Sequence, residues 1–185
     1  PIEPMIGTIG TTPAGAPVPS GWPGPHGGNM DCKEVRAGAT ILLPVMLPGA
    51  NLAMGDLHAL QGDGEVGCAG VEIAGEVRVR LHLLRSVDLP LPFLVTAEKV
   101  AAIFTAETLD QAAVGAVERM TCFLADHGDL SVADAGMLLS LVGDIRICQI
   151  VDPLMTCRME VPRSFLKELD IDLNALLDDD LPEPS

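Results

Sequence analysis

The chain has 185 residues, 48% of them hydrophobic, enough for one substantial domain or two small ones around a packed core, which excludes global disorder. Aromatic residues are only 3%, with one Trp and no Tyr, so the core has to be built from Leu, Val, Ile, Ala and Met. A formal charge of −15 repels phosphate backbones and anionic lipid, which argues against nucleic-acid and membrane-surface partners.

Residues 5–12, MIGTIGTT, predict a short β-strand. Residues 13–28 carry five prolines and five glycines, which forbids regular structure. A loop of that length is functional or disordered, and its continuation into GGNMD favours function. The stretch 37–55 has no charge and is long enough to span a bilayer, yet Pro44 and Pro48 would each cost about 3 kcal/mol in a helix. Residues 40–47, TILLPVML, are therefore read as a buried strand with an edge or bulge at Pro44. The polar, glycine-punctuated GDLHALQGDGEVG follows. In EVRVRLHL, Val77, Val79, Leu81 and Leu83 alternate with Arg78, Arg80 and His82. That period of two puts one face in a core and the other, with His82, in water.

Thr108 and Gln111 form a capping box that opens a helix to about Asp126, ending near Gly128. Leu109, Ala113, Ala116, Val117, Met120 and Leu124 give it one apolar stripe. Ser131 and Asp134 open a second helix through about Ile150, apolar nearly all round and hence expected to be central. Ser140, Asp144 and Arg146 would then need partners, with Asp144 in a structural role. Pro153 stops that helix, and MTCRMEV gives a last strand. Strands, then helices, then a strand predict α+β rather than alternating βαβ. Residues 1–167 form the domain, and 168–185, with seven acids and no base, read as a solvated acidic tail.

Five cysteines at scattered spacing (32, 68, 122, 148 and 157) form no CxxC pair, which suggests buried thiols and a reducing cytoplasm. No signal peptide is visible. The chain starts at Pro1 rather than Met, which suggests that an upstream part was removed, left out or made as a separate chain.

Reactive side chains are densest at His26, Asp31, Asp56, His58, Gln61, Asp63 and Glu65, with glycines 27, 28, 55, 62 and 64 between them. Imidazole and carboxylate are what a divalent metal such as zinc binds and what acid–base chemistry needs. Glycine-rich turns bring such groups close to a ligand. Blander readings stand beside this one. An Asp next to Gly, such as Asp63, is commonly a turn former, and His58, among Leu57, Ala59 and Leu60, reads equally well as a core histidine. Cys32 and Cys68 are the rival nucleophiles, but neither is obviously placed to have its thiol activated by a cation or helix amino terminus, Cys32 sits beside the acid Asp31, and no GxSxG elbow occurs.

GGNMDCKEVRAGATILLPVMLPGANLAMGDLHALQGDGEVGCAGVEI resembles the signature region of the acetamidase/formamidase family, in which GGNMD, a proline-bearing strand and GDxHAxQGDGE follow at this spacing. PMIGTIGTTPAG resembles the segment just upstream, and ADAGMLLSLVGDIRICQIVDPLMTCRMEVPRSFL the closing helix and strand. The likeness covers about residues 4–167. CAGVEI after GDGEV and the long Pro/Gly loop before GGNMD depart from the family pattern. The resemblance implies hydrolysis of a small carboxamide, formamide or acetamide by default, to carboxylate and ammonia. Alternatives are a larger or cyclic amide, or a regulatory, non-catalytic half of a two-chain amidase. It implies a β-sandwich-like body with α+β elaboration, completed by an amino-terminal portion or companion chain, and homo-oligomers of the completed unit. It also implies a divalent metal, zinc first, held by Asp31 and His58 with Asp56 as ligand or orienting partner. Glu65 would be the base, with Asp63 beside it, and Gln61 or the glycine-rich backbone would hold the oxyanion.

Overall fold

The computed structural model describes residues 1–85 and 88–177. Its strands are β1 (Met5–Gly10), β2 (Gly27–Asn29), β3 (Thr40–Leu42), β4 (Ala53–His58), β5 (Phe93–Val95), β6 (Lys99–Ala106), β7 (Asp144–Gln149) and β8 (Met155–Pro162). Its helices are α1 (Leu109–His127), α2 (Val132–Val142), α3 (Arg163–Glu168) and α4 (Leu173–Leu176). All pairing within the two sheets is antiparallel. The small sheet runs β2-β1-β4 and the large one β3-β5-β6-β8-β7.

Period-two alternation explains the layering. Along the large sheet, Phe93, Val95, Val100, Ala102, Cys157, Met159 and Val161 join one core with helix residues Ala112, Ala116, Met120 and Leu124. Their neighbours Leu94, Ala101 and Ile103 point the other way, into a second core with Ile9, Met30, Cys32, Val35 and Cys148. The result is a sheet-on-sheet body with helices over its outer face, an α+β architecture.

α1 forms as its sequence dictates. Thr108 Oγ1 accepts the Gln111 N–H, the Gln111 side chain accepts the Thr108 N–H, and Gly128 caps the far end. The second helix is shorter than predicted. It ends at Val142 because Gly143 turns extended, and the β-branched run in DIRICQ forms edge strand β7. α2 is also not central. α1 already covers the sheet, so only Ala135 and Leu139 of α2 are buried, and Leu141 is 79% exposed. Ser140 bonds back to Gly136 O, and Asp144 pairs with Arg146 at 3.1 Å on the surface.

Three further expectations change. The strand predicted over 40–47 closes at Leu42, ahead of Pro44, whose carbonyl accepts the Thr11 hydroxyl at 2.7 Å. Residues 76–83 belong to no sheet, and both sets of their side chains are exposed. The expected solvated tail is packed as far as it is described: Ile171, Leu173 and Leu177 are buried in the helix-side core, and Asp172 caps α4. These apolar residues outweigh the acids around them. Residues 178–185 of that tail lie outside the described residues. Among the described residues, no helix is long and apolar enough to cross a membrane.

Candidate active site

The small sheet and the turn after it assemble one acidic cluster. β1 brings Gly7, whose neighbours across the sheet are β2 and β4. Asp31 follows β2 and donates its N–H to Gly7 O at 3.1 Å. β4 supplies Asp56 and, two residues on and on the same side, His58. The turn Gly62–Cys68 carries Glu65. It is pinned to β7 because Gly64 N–H donates to Ile147 O at 3.0 Å and Gly64 O accepts from Ile150 N–H at 3.2 Å. Asp31, Asp56 and Glu65 all adopt positive φ (46°, 59° and 42°). Non-glycine residues hold that conformation only where the surroundings over-determine it, and such places cluster at functional sites.

Two glycines make the cluster possible. A Cβ on Gly7 would lie 2.5 Å from Asp56 Oδ2 and 2.8 Å from Asp31 Oδ1. A Cβ on Gly70 would lie 2.5 Å from the His58 ring. No other residue type fits at either place without moving the acids or the imidazole.

His58 is 1% exposed and is held by Gln61, whose Oε1 lies 2.6 Å from Nδ1 while its Nε2 donates to Asp31 O at 2.8 Å. With the amide nitrogen committed to a carbonyl, the Gln61 oxygen accepts, so Nδ1 carries the proton. Nε2 then faces Glu72 Oε1 at 2.9 Å and Asp56 Oδ1 at 3.3 Å. Asp31 Oδ1 is 3.7 Å from Nδ1 and is buried with no donor among the described residues.

The carboxyls perturb one another. Burial, then the charges of Glu65, Asp56 and Asp152, push Asp31 up to about 8 against the pull of His58. Burial also raises Glu65, with Asp152 and Asp56 adding to it, although a hydrogen bond with Asp31 and the His58 charge oppose the rise. Burial raises Asp152 to about 6, despite an Asn29 amide donor at 3.0 Å. For His58 burial acts downward, but the Gln61 bond and the charges of Asp56, Glu72 and Asp31 win and raise it. Two ligand-like groups result: Asp31, His58 and Glu65, all buried, and Asp56, His58 and Glu72, which opens to solvent.

Of the residues singled out in the sequence, Asp31, Asp56, His58, Gln61 and Glu65 come together. Asp63 does not. Its carboxylate sits in the fork of Arg158, at 2.7 and 2.9 Å, with Lys33 at 3.3 Å. Gln61 sets its amide oxygen against His58 Nδ1 and donates one of its two Nε2 hydrogens to Asp31 O, so it orients the imidazole. His26 is buried against Gly24 and Gly28, and it joins neither group. Sequence reading missed Glu72 and Asp152. Glu72 lies in the departing CAGVEI run, but a bridge opposite His58 places it here. Asp152 precedes Pro153, which reads as a turn; only its bond to Asn29 of GGNMD gives its position away. Two surface hollows, one between α1, α2 and β7 and one between α1 and 88–90, lie away from the cluster.

An antiparallel sandwich with a helical cover, carrying four carboxyls around one imidazole and a fifth, Asp152, beside them, defines the class. The chain belongs to the Acetamidase/Formamidase family, whose sequence profile matches residues 17–166. It is similar to a solved acetamidase from Bacillus halodurans, with 49% identity and a TM-score of 0.83 over 91% of this chain and 57% of that one. It is also similar to a predicted acetamidase/formamidase from Thermoanaerobacter tengcongensis, at 44% identity and a TM-score of 0.90 over 94% and 57%. The formamidase of Methylophilus methylotrophus is 41% identical over 64 residues, 34% of this chain and 16% of that protein. The chain thus spans little more than half the length of the solved relatives and a smaller share of that formamidase.

Proposed function

We propose that this cluster hydrolyses a small linear carboxamide, of the size of formamide or acetamide, to carboxylate and ammonia. The observation that carries the proposal is the buried Asp31–Glu65 pair beside His58. Asp31, Glu65 and His58 bring ligand atoms within 4.8 Å of one another, and two buried carboxyls this close resist ionising together, so we assign the pair one proton near neutral pH. Such a pair supplies a base and an acid in one place. The ionised member, assigned to Glu65, takes a proton from water as the water oxygen bonds to the amide carbon. The protonated member, assigned to Asp31, gives its proton to nitrogen as the C–N bond breaks. The amide would enter from the open side marked by Asp56 and Glu72, whose side chains are 35% and 58% exposed.

The donor set also fits a divalent cation. His58 Nε2, Asp56 and Glu72 face one another as three acceptors, Asp31 Oδ1 has no donor, and no Lys or Arg pairs with any of these groups among the described residues. Imidazole with carboxylates suits zinc. Because Nδ1 is committed to Gln61, we assign Asp56, His58 Nε2 and Glu72 as the holders, with Asp31 kept for proton transfer. When bound, the cation would polarise the amide carbonyl as a Lewis acid. The five free cysteines fit a cytoplasmic setting.

The test is ammonia release from formamide and acetamide, with and without a chelator, by the wild-type chain and by Glu65→Gln. The expected result is release that drops by about 100-fold or more in Glu65→Gln, in line with loss of a general base. Full turnover in that variant would refute the assignment, and full turnover after chelation would refute the cation.

A further inference from the structure

Two buried thiols beside the site have no part in the proposed hydrolysis. Cys32 directly follows Asp31, and Cys148 lies on β7. Both are 0% exposed, both belong to the core that holds Ile9 and Met30, and their side chains meet through a thiol–thiol hydrogen bond. Buried cysteine ordinarily serves as a small apolar filler. Charge sets this pair apart. Nη1 of Arg158, itself 1% exposed, stands 3.5 Å from Cys148 Sγ, and the guanidinium favours a thiolate on either sulfur. Cys157 is equally buried but stands in the other core, on the helix side.

The backbone on each side of the pair leads into the site. Asp31 O accepts the Gln61 amide that orients His58, and Cys148 O accepts the Gly64 N–H at 3.0 Å, in the turn that carries Glu65.

We propose that Cys32 and Cys148 are a redox-active pair, closed to a disulfide by hydrogen peroxide and reopened by a dithiol, and that closing it displaces the backbone holding Asp31 and Glu65. In the first step a thiolate sulfur of the pair bonds to one peroxide oxygen as the O–O bond breaks, leaving a sulfenic acid and hydroxide. In the second, the other sulfur bonds to the first as the S–O bond breaks. The two thiol protons end on the two departing oxygens, so two thiols and one peroxide give a disulfide and two waters. Neither sulfur has exposed surface, so the oxidant has to be about the size of water, and a bulky disulfide is shut out. An S–S bond is shorter than a thiol–thiol contact, so its formation pulls Cys32 and Cys148 together, with Asp31 and Gly64 attached.

Only the effect on turnover rests on the proposed hydrolysis; the link and the amides are read without it. The full chain is treated with iodoacetamide to cap the exposed Cys68 and Cys122, then with hydrogen peroxide or, in a second arm, with oxidised glutathione. Peptide mapping by mass spectrometry should find Cys32 linked to Cys148 in the peroxide arm alone, with Cys157 still reduced. Hydrogen exchange at the Asp31 and Gly64 amides should change by about tenfold or more, formamide turnover should fall by about tenfold, and dithiothreitol should reverse all three. Cys148→Ala should leave turnover of the reduced chain within about threefold of wild type and abolish the reversible response. Absence of the Cys32–Cys148 link, equal oxidation of Cys157, a link formed as well by oxidised glutathione, or a link that leaves both amides unchanged would overturn the proposal. A chain that forms the link and shifts both amides, yet never hydrolyses formamide, would uphold the pair and overturn the proposed function instead.

Discussion

Replacing Asp63 by Asn keeps the side chain's shape and removes its charge from the Arg158 fork. Arg158 is 1% exposed, and its other ties are Glu160 at 2.6 Å, Cys148 Sγ at 3.5 Å and Glu34 at 3.9 Å. Breaking a buried pair from one side typically costs about 3–5 kcal/mol. Here Asp63 keeps 28% of its side chain in solvent and Glu160 still holds the guanidinium, so about 2–3 kcal/mol is expected. For a chain of this size that lowers Tm by roughly 5–10 °C, read by calorimetry at pH 7. Burial would raise the Asp63 carboxyl, but the bonds and charge of Arg158, with help from Lys33, hold it below the ordinary range. Its contribution is therefore complete above the unfolded value of about 3.9 and is lost as pH falls through the lower folded value. The gap between wild type and variant should stay constant from pH 7 to about 5 and narrow below about 4. Amide turnover measured well below the melt should change by less than about threefold, because Asp63 lies outside the acidic cluster. An unchanged Tm with turnover reduced by about 100-fold would refute this reasoning and return Asp63 to the chemistry.

Gly70→Ala puts a methyl group where the His58 ring stands, so turnover and metal affinity should both fall by about 10–100-fold with the fold intact by circular dichroism. With Asp31 pushed up to about 8, the acid proton is lost as pH rises through that value, so a pH–rate profile in formamide should fall on its alkaline side there. The same raised carboxyl makes folded stability greatest in acid and erodes it up to about pH 8, which denaturant titration at several pH values can follow. Thr108→Ala removes the hydroxyl half of the capping box and should cost about 1 kcal/mol, seen as a Tm lower by about 2–4 °C.

Much of this fold is written locally. The capping box at Thr108 and Gln111, the Gly128 stop and the β-rich MTCRMEV each act within a few residues, and each lies where the sequence predicts. Tertiary competition decides the rest. The apolar run from Val132 to Ile150 has one composition but two structures, because Gly143 breaks it and β8 offers an edge to its second half. No local signal reveals that α1 leaves α2 only a margin of the sheet. Residues 76–83 show the converse case: a strand pattern is legible, yet the segment joins no sheet among the described residues. In the site, chain proximity joined Asp56, His58, Gln61 and Glu65. Glu72 and Asp152 arrive through a bridge and a distant turn, which single-chain spacing does not encode.

The acids near the junction of the two sheets divide into two sets, and the division separates structure from chemistry. Asp63, Glu34 and Glu160 are each met by Arg158, and Lys33 and Lys99 add further cations to the same network. Paired charge of this kind fixes β8 to the turn at 62–68 and leaves nothing reactive. Asp31, Asp56 and Glu72 face the imidazole of His58, Glu65 feels its charge, and Asp152 has only the neutral Asn29 amide; none of the five is met by a Lys or Arg among the described residues. Three of them also hold positive φ, at a cost of about 1–3 kcal/mol each for strained residues. A cluster that repels itself and strains its backbone lowers the stability of the chain that carries it. Protons relieve that repulsion, and under the proposed function a cation would do the same. Composition alone puts both sets under one description, acid beside glycine. Only the presence or absence of an opposing guanidinium or ammonium tells them apart, and that is decided by distant strands: Arg158 of β8 lies 95 residues beyond Asp63, and Lys99 of β6 lies 65 beyond Glu34.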